Sequence, residues 1–284
     1  MAGLSLLDRL FVFYGVRVPN HPRKWMVHER LRSLCGVSVD CEIEATRSGL
    51  KWLLNPSDYT DSSLFWFGNK DVWDLYHLKR LVNKGDIILD VGANFGYYSL
   101  VLAKALKYQC QIFALEPNPA NFLRLCRHIK WNNSEDVIKP FQLGASNRSE
   151  IVNMRQPLDN SGHTFVDKDG DISDVMLSGI DDFCKTNSID SLDVLILDAE
   201  GFEERGLMGA GEMIERCKPL MFIEIFPPVM ARQNSSPEAI VDFIKSKGYQ
   251  LFVARRKMLK PLLDIPKGDM RENVFCFHAD NMPA

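Results

Sequence analysis

The sequence predicts a doubly wound, Rossmann-like α/β domain whose mostly parallel sheet is covered by helices on both faces. Three observations carry that reading. Short β-rich apolar runs alternate with helical stretches from about residue 85, a glycine loop follows the first run, and an acid ends the second. Strands buried on both faces read as near-continuous apolar runs, and their alternation with helices marks a parallel sheet.

Ile87-Ile88-Leu89-Asp90-Val91 is an apolar run bounded by Gly85 and Gly92, and Tyr97 to Leu106 reads as the following helix. Gln111 to Leu115 forms a second strand ending at Glu116-Pro117. Asn118 then caps a helix that has Pro119 in its first turn and runs to Trp131. Val137–Leu143, Leu192–Leu197 and Leu220–Phe226 read as further strands, with a helix from about Glu203 to Arg216 and Pro227-Pro228 as a stop. A helix from Pro237 to Lys247 ends at Gly248, suited to a left-handed cap, and Tyr249–Ala254 and Asn273–His278 complete the strands.

Two stretches break the alternation. Residues 1–84 read as an N-terminal extension: an amphipathic helix over Leu4–Phe13, a strand pair around Val37–Glu44 and Leu50–Leu54, and a helix over Asp71–Val82. The domain proper is then residues 85–284. Within it, residues 144–191 interrupt the pattern with polar, Gly- and Asp-rich sequence, the signature of a lid or substrate wall. Ser178-Gly179-Ile180-Asp181 fits a capping box that opens a short helix over Asp182–Thr186.

Composition bounds the function classes. A chain of 284 residues, 46% hydrophobic and 25% charged with net charge −3, is an ordinary globular protein without the electrostatic signature of a nucleic-acid partner. Basic residues cluster in the first thirty-odd positions and over residues 255–271, most simply as solvated faces. Seven scattered cysteines without a C-x-x-C argue for a reducing compartment and against disulfides or structural zinc, so a cytoplasmic location is expected. No apolar run approaches the ~20 residues of a membrane span. Nothing in the pattern specifies an oligomeric state.

The most informative stretch is Asp90-Val91-Gly92-Ala93-Asn94-Phe95-Gly96, at the carboxyl end of the first strand, where ligands of open α/β sheets bind. A dinucleotide loop reads G-x-G-x-x-G and makes room for a pyrophosphate. Here an acid precedes the loop, which disfavours a pyrophosphate and suits a ligand with ammonium and sulfonium groups, namely S-adenosylmethionine. Glu116, twenty residues after Gly96, is placed to accept hydrogen bonds from both ribose hydroxyls of a nucleoside. The expected cofactor-binding set is Asp90, Gly92, Ala93, Asn94, Gly96, Glu116, Pro117, Asn118 and Asp198.

The chain resembles the FkbM family of S-adenosylmethionine-dependent methyltransferases. The resemblance rests on the loop above extended through Tyr97-Tyr98-Ser99, on Leu115-Glu116-Pro117-Asn118-Pro119, and on Ile180-Asp181-Asp182-Phe183. Leu195-Ile196-Leu197-Asp198-Ala199-Glu200-Gly201-Phe202-Glu203 and Ile223-Glu224 also match, so it spans roughly residues 45 to 278. It implies a seven-stranded class I methyltransferase sheet with the last strand antiparallel, and O-methylation of a hydroxyl on a sugar, glycan or secondary metabolite. One departure stands out: the family usually has Lys two residues before the Asp of the fourth-strand motif, where this chain has Ile196.

Methyl transfer needs the acceptor oxygen held close and a base for its proton. Asp198 and Glu200, pointing the same way from an extended segment, and Glu224 on the next strand are the candidates, with Asp198 as base or as contact for the methionine amine. The three carboxylates could instead hold Mg²⁺, but no further ligand is evident and no metal is expected. His163, in Asn160-Ser161-Gly162-His163-Thr164, is a second candidate base. Asp58, Tyr59 and Trp66 are candidates to close over cofactor or sugar, with packing the simpler role for Trp66. The acceptor is expected to be a small molecule or glycan. An N- or RNA-directed methyltransferase, or a non-catalytic module on the same fold, are the rival readings; the chain lacks an Asn/Asp-Pro-Pro-Tyr-type motif after the fourth strand.

Overall fold

The computed structural model describes residues 6–18, 23–24, 26–27, 30, 42–157 and 160–282. The described residues of Met1–Val72, with those of Pro157–Gly162, form one compact unit; Trp73–Gln156 with His163–Ala284 form a second.

In the smaller unit, helix α1 (Leu6–Arg17) buries Phe11 and Val12 and leaves Leu6, Leu10 and Phe13 exposed. The strand pair is a hairpin, β1 (Ile43–Arg47) against β2 (Leu50–Leu54), in the register Arg47↔Leu50. Its two-residue turn, Ser48-Gly49, has positive φ at both positions, which matches the twist of the flanking strands. Residues 37–41 of the expected first strand lie outside the described residues. Arg47 turns inward and its guanidinium donates to the carbonyls of Phe65 (2.8 Å) and Leu64 (3.2 Å). Those carbonyls belong to the last turn of helix α2 (Tyr59–Phe67), which the sequence reading does not anticipate.

Asp58 caps that helix, accepting the N–H groups of Thr60 and Asp61, and its other oxygen accepts from Ser161 N at 2.7 Å. Trp66 is buried against Phe11, with ring centroids 4.4 Å apart, and donates to the Pro56 carbonyl; Tyr59 is exposed. Capping and packing thus occupy Asp58 and Trp66.

The larger unit opens with helix α3 (Val72–Leu81) and is organised on an eight-stranded sheet. Five strands run parallel: β3 (Ile87–Val91), β4 (Gln111–Leu115), β5 (Ile138–Phe141), β10 (Val194–Leu197) and β11 (Leu220–Ile225). β14 (Glu272–His278) inserts antiparallel between β11 and β12 (Tyr249–Arg255). With β13 (Met258–Pro261) at the edge, the spatial order is β13-β12-β14-β11-β10-β3-β4-β5. The expected count of seven is therefore one short. The eighth strand, β13 (Met258–Pro261), hairpins back along β12 at the edge, and its Lys-Pro content hid it from a reading based on apolar runs.

Helices α4 (Tyr97–Ala105), α5 (Pro119–Trp131) and α10 (Pro237–Ser246) fall where the sequence places them. Asn118 caps α5 through Ala120 N, and Ser236 caps α10 through Ala239 N. The expected helix over Glu203–Arg216 is two, α7 (Glu203–Met208) and α8 (Gly211–Cys217), and Pro227 opens a short helix α9 (Pro227–Arg232) directly after β11. Alternate sheet residues Leu89, Val91, Leu115, Leu195, Leu197, Ile223 and Ile225 enter one buried cluster with Phe183, Leu207, Met213, Ile240 and Ile244. On the other sheet face Phe222 meets Tyr98 of α4 and Phe275 of β14.

Residues 144–191 are not irregular. They build a second sheet, in the order β6-β9-β7-β8, from β6 (Gly144–Ser146), β7 (Glu150–Arg155), β8 (Phe165–Val166) and β9 (Ile172–Gly179). Its inner residues Met154, Val175 and Leu177 pack with Phe202, which follows β10. The capping box is a correction: helix α6 spans Ile180–Thr186 with Gly179 at its N-cap and no side-chain cap. The Asp181 carboxylate instead accepts from Glu212 N and Met213 N, both at 2.9 Å, and so caps α8.

Candidate active site

The chain leaves β3 for β4 on one side and returns to β10 on the other. The carboxyl ends of β3 and β10 therefore form a topological switch point, the place where open α/β sheets hold ligands. The loop after β3 is shaped by its backbone. Gly92 and Ala93 both donate to the Leu115 carbonyl at 2.9 Å, and φ is positive at Gly92, Asn94 and Gly96. A Cβ on Gly96 would come within 2.6 Å of Leu125, so the loop lies flat on α5.

Asp90 is fully buried on β3. Its Oδ2 accepts from the Ser99 amide (3.1 Å) and hydroxyl (2.5 Å), so it caps α4 from within the sheet. Burial raises its pKa to about 6 against those two hydrogen bonds, and Asp198 adds a smaller push. Glu116, at the tip of β4, accepts from Asn94 N (2.7 Å) through Oε2 and from Asn118 N (2.9 Å) through Oε1. Burial raises it to about 7, opposed by those hydrogen bonds and helped by the charges of Asp198 and Asp90. Ile196 pairs in register with Asp90, so an apolar side chain stands beside that acid on the adjoining strand.

Asp198 follows β10 and donates its amide to the Val91 carbonyl at 3.0 Å. Asp198, Glu200 and Glu224 converge, each offering a carboxylate oxygen within 4.8 Å of the others. The route to that convergence is not the expected extended segment. Glu200 has φ 48° and Gly201 φ 99°, a left-handed turn that swings Glu200 back, and a Cβ on Gly201 would meet the Val229 carbonyl at 2.6 Å. Glu203, which the sequence reading quotes without a role, braces this turn: its carboxylate accepts from Ala199 N (2.8 Å) and from Gly201 N (3.0 and 3.1 Å). An acid in the first turn of a helix reaching back over the preceding loop is the signal that identifies it. Burial raises Glu203 to about 7. Burial, with Asp198, Glu224 and Glu203 nearby, holds Glu200 well above the ordinary carboxylate range, against Arg271.

A histidine and an arginine meet this acidic cluster. His163 Nδ1 lies 3.8 Å from Glu200 Oε2 and its ring packs edge-on to Phe226 at 5.9 Å. Arg271, just before β14, forms an ion pair with Glu224. The segment carrying His163 is tied to the tip of β4, since Asn118 Nδ2 donates to Thr164 Oγ1 at 2.9 Å and to Gln156 Oε1. Pro117 lies beside Gly144, where a Cβ would meet its ring at 3.3 Å. The three converging carboxylates have the chemistry to ligate a divalent cation, although Arg271 already pairs with one of them.

The model of the methyltransferase FkbM domain matches residues 90–251, more than half of the chain. The chain belongs to the FkbM methyltransferase family. A search of curated proteins returns no match. Among solved structures it is similar to methyltransferase FkbM from Methylobacillus flagellatus KT, with 19% identity and a TM-score of 0.48 over 69% of this chain and 44% of that one. This chain thus matches less than half the length of that structure. It is also similar to M. jannaschii TYW2 in complex with AdoMet, with 16% identity and a TM-score of 0.45 over 84% of each chain. A putative transferase, PH0793 from Pyrococcus horikoshii, gives 15% identity and a TM-score of 0.45 over 91% of this chain and 85% of that one. Every motif quoted for the FkbM resemblance from Asp90 to Glu224 falls inside the matched span, and those around Asp90, Glu116 and Asp198 lie on the rim of the crevice.

Proposed function

We propose that this FkbM-family chain binds S-adenosylmethionine in the crevice beyond β3 and methylates a hydroxyl of a small molecule or glycan. The observation that carries the reading is the set of buried acids at one sheet rim: Asp90, Glu116, Glu200 and Glu203 all have raised pKa values, a field suited to a cationic ligand. The site fits that cofactor. Asn94 Oδ1 is buried on the loop and accepts no hydrogen bond among the described residues, and the glycines keep the loop backbone bare. Asp90, Gly92, Ala93, Asn94 and Gly96 would form the floor, Glu116 would take the ribose hydroxyls with Pro117 and Asn118 beside it, and Asp198 would meet the methionine ammonium.

When bound, S-adenosylmethionine supplies an electrophilic methyl group on a sulfonium. The chain's own residues place the acceptor and manage its proton. His163 takes the hydroxyl proton at a ring nitrogen, Glu200 orients that ring and stabilises its charged form, and Glu224, fixed by Arg271, borders the acceptor. Removing bulk water from this pocket strengthens each of these interactions.

Calorimetry with S-adenosylhomocysteine, followed by methyl-transfer assays on a panel of hydroxylated glycans and small molecules, tests the reading. Binding without turnover on any hydroxyl, or turnover only on RNA or amines, refutes the O-methyl assignment.

A further inference from the structure

We propose that residues 256–271, the strap joining β12 to β14 through β13, dock the protein on an anionic lipid bilayer, with Leu263 as the inserting side chain. Arg256, Lys257, Lys260 and Lys267 are all exposed, and none makes a salt bridge among the described residues. The fifth cation of the stretch, Arg271, is paired with Glu224, and Arg255 just before it is paired with Glu272. On the same strap Leu263 is 88% exposed, and Met258 and Met270 are each 58% exposed.

The exposure is built into the fold. Leu262 and Ile265 pack against the main core and Pro266 is buried, while the Leu262 amide donates to the Leu251 carbonyl at 2.9 Å. Leu263 is thereby held outward between anchored neighbours. A large aliphatic side chain presented to water costs hydrophobic free energy unless something covers it. The exposed Asp264 and Asp269 offset two of the four unpaired cations, and the remaining positive excess beside aliphatic tips suits the phosphate layer and acyl boundary of an anionic membrane surface. The strap contains no aromatic residue, whereas a single-stranded RNA surface relies on aromatic stacking, so the lipid is the better fit. β13 adds to this: its Lys-Pro edge discourages pairing with another strand and leaves the strap free to meet a surface.

Vesicle flotation of the full chain is the test, with phosphatidylcholine vesicles with and without phosphatidylserine. The expected result is binding only where phosphatidylserine is present, weakening as salt is added. Leu263→Asp alone, and Lys257→Glu with Lys260→Glu, should each lower the bound fraction at least tenfold while the thermal unfolding curve stays unchanged. No flotation of the wild-type chain overturns the proposal, as does equal flotation of all variants. Tight binding of single-stranded RNA, lost on charge reversal without vesicle binding, also overturns it. None of these readouts depends on methyl transfer.

Discussion

The backbones of Gly92 and Asp198 pass so close that a Cβ on Gly92 would lie 1.7 Å from the Asp198 carbonyl oxygen. Two strand tips far apart in sequence are fitted together there, and the crevice exists because of that fit. Gly92 also has φ 77°, so Gly92→Ala combines backbone strain with a clash against main chain that has no rotamer to move. We expect a loss of about 3 kcal/mol or more, the sum of left-handed strain and overpacking. A urea midpoint equal to that of the wild type would show that the two loops are not packed as described.

Glu116 and Asp90 should separate in mutagenesis. Glu116→Gln removes the charge and sets an amide NH2 against the N–H of Asn94 or Asn118, so S-adenosylmethionine affinity should fall at least tenfold, about 1.4–3 kcal/mol, and the melting temperature should fall with it. Asp90→Asn should lower affinity with a smaller effect on stability, because both Ser99 hydrogen bonds reach one Asp90 oxygen that the Asn carbonyl can replace. Calorimetry and thermal unfolding on the same samples check both; equal affinity in both variants would move the cofactor elsewhere.

The raised carboxyls make stability pH-dependent. Asp90 rises from 3.8 to about 6, and Glu116 and Glu203 from 4.5 to about 7. Between the ordinary and the raised values the folded chain holds protons that the unfolded chain has released. The contribution of these groups is thus fully present below the ordinary values and lost as pH rises through 6 to 7. Melting temperature of the ligand-free protein should decline over this window. Binding of the cationic cofactor should flatten the decline and release protons, seen as a calorimetric enthalpy that varies with the buffer. A melting temperature that climbs across the window would contradict these assignments.

Within the acceptor side, His163→Ala should lower kcat at least a hundredfold, as loss of a general base does, with cofactor affinity unchanged. Glu203→Ala should act differently. It orphans the Ala199 and Gly201 amides that shape the turn, so both stability and kcat should drop. A His163→Ala enzyme with wild-type kcat would transfer the role of base to Asp198.

Much of this molecule is legible in one dimension because the signals are local. Apolar runs ending in Gly92 or Glu116, the Asn118-Pro119 helix start and Gly248 each act within a few residues. Misreadings arise where partners are remote. Asp181 looks like the end of a capping box for its own helix and instead caps α8, thirty-one residues onward at Glu212. The polar stretch after β5 shows no strand pattern in sequence and yet is a sheet, because β9 supplies only alternate buried positions and needs β7 and β6 beside it. Strand β13 carries almost no apolar pattern; its pairing with β12 alone defines it.

By itself the sequence determined the chemistry on offer: which strand tips end in acids, where glycines clear the backbone, and which family the motifs match. Only the tertiary structure decided how those groups meet. The left-handed turn at Glu200, the Glu203 brace behind it, and the pairings of His163 with Glu200 and Arg271 with Glu224 join residues from separate segments. Distance and burial set a carboxylate's charge and direction, and neither is written in the spacing of residues along a chain.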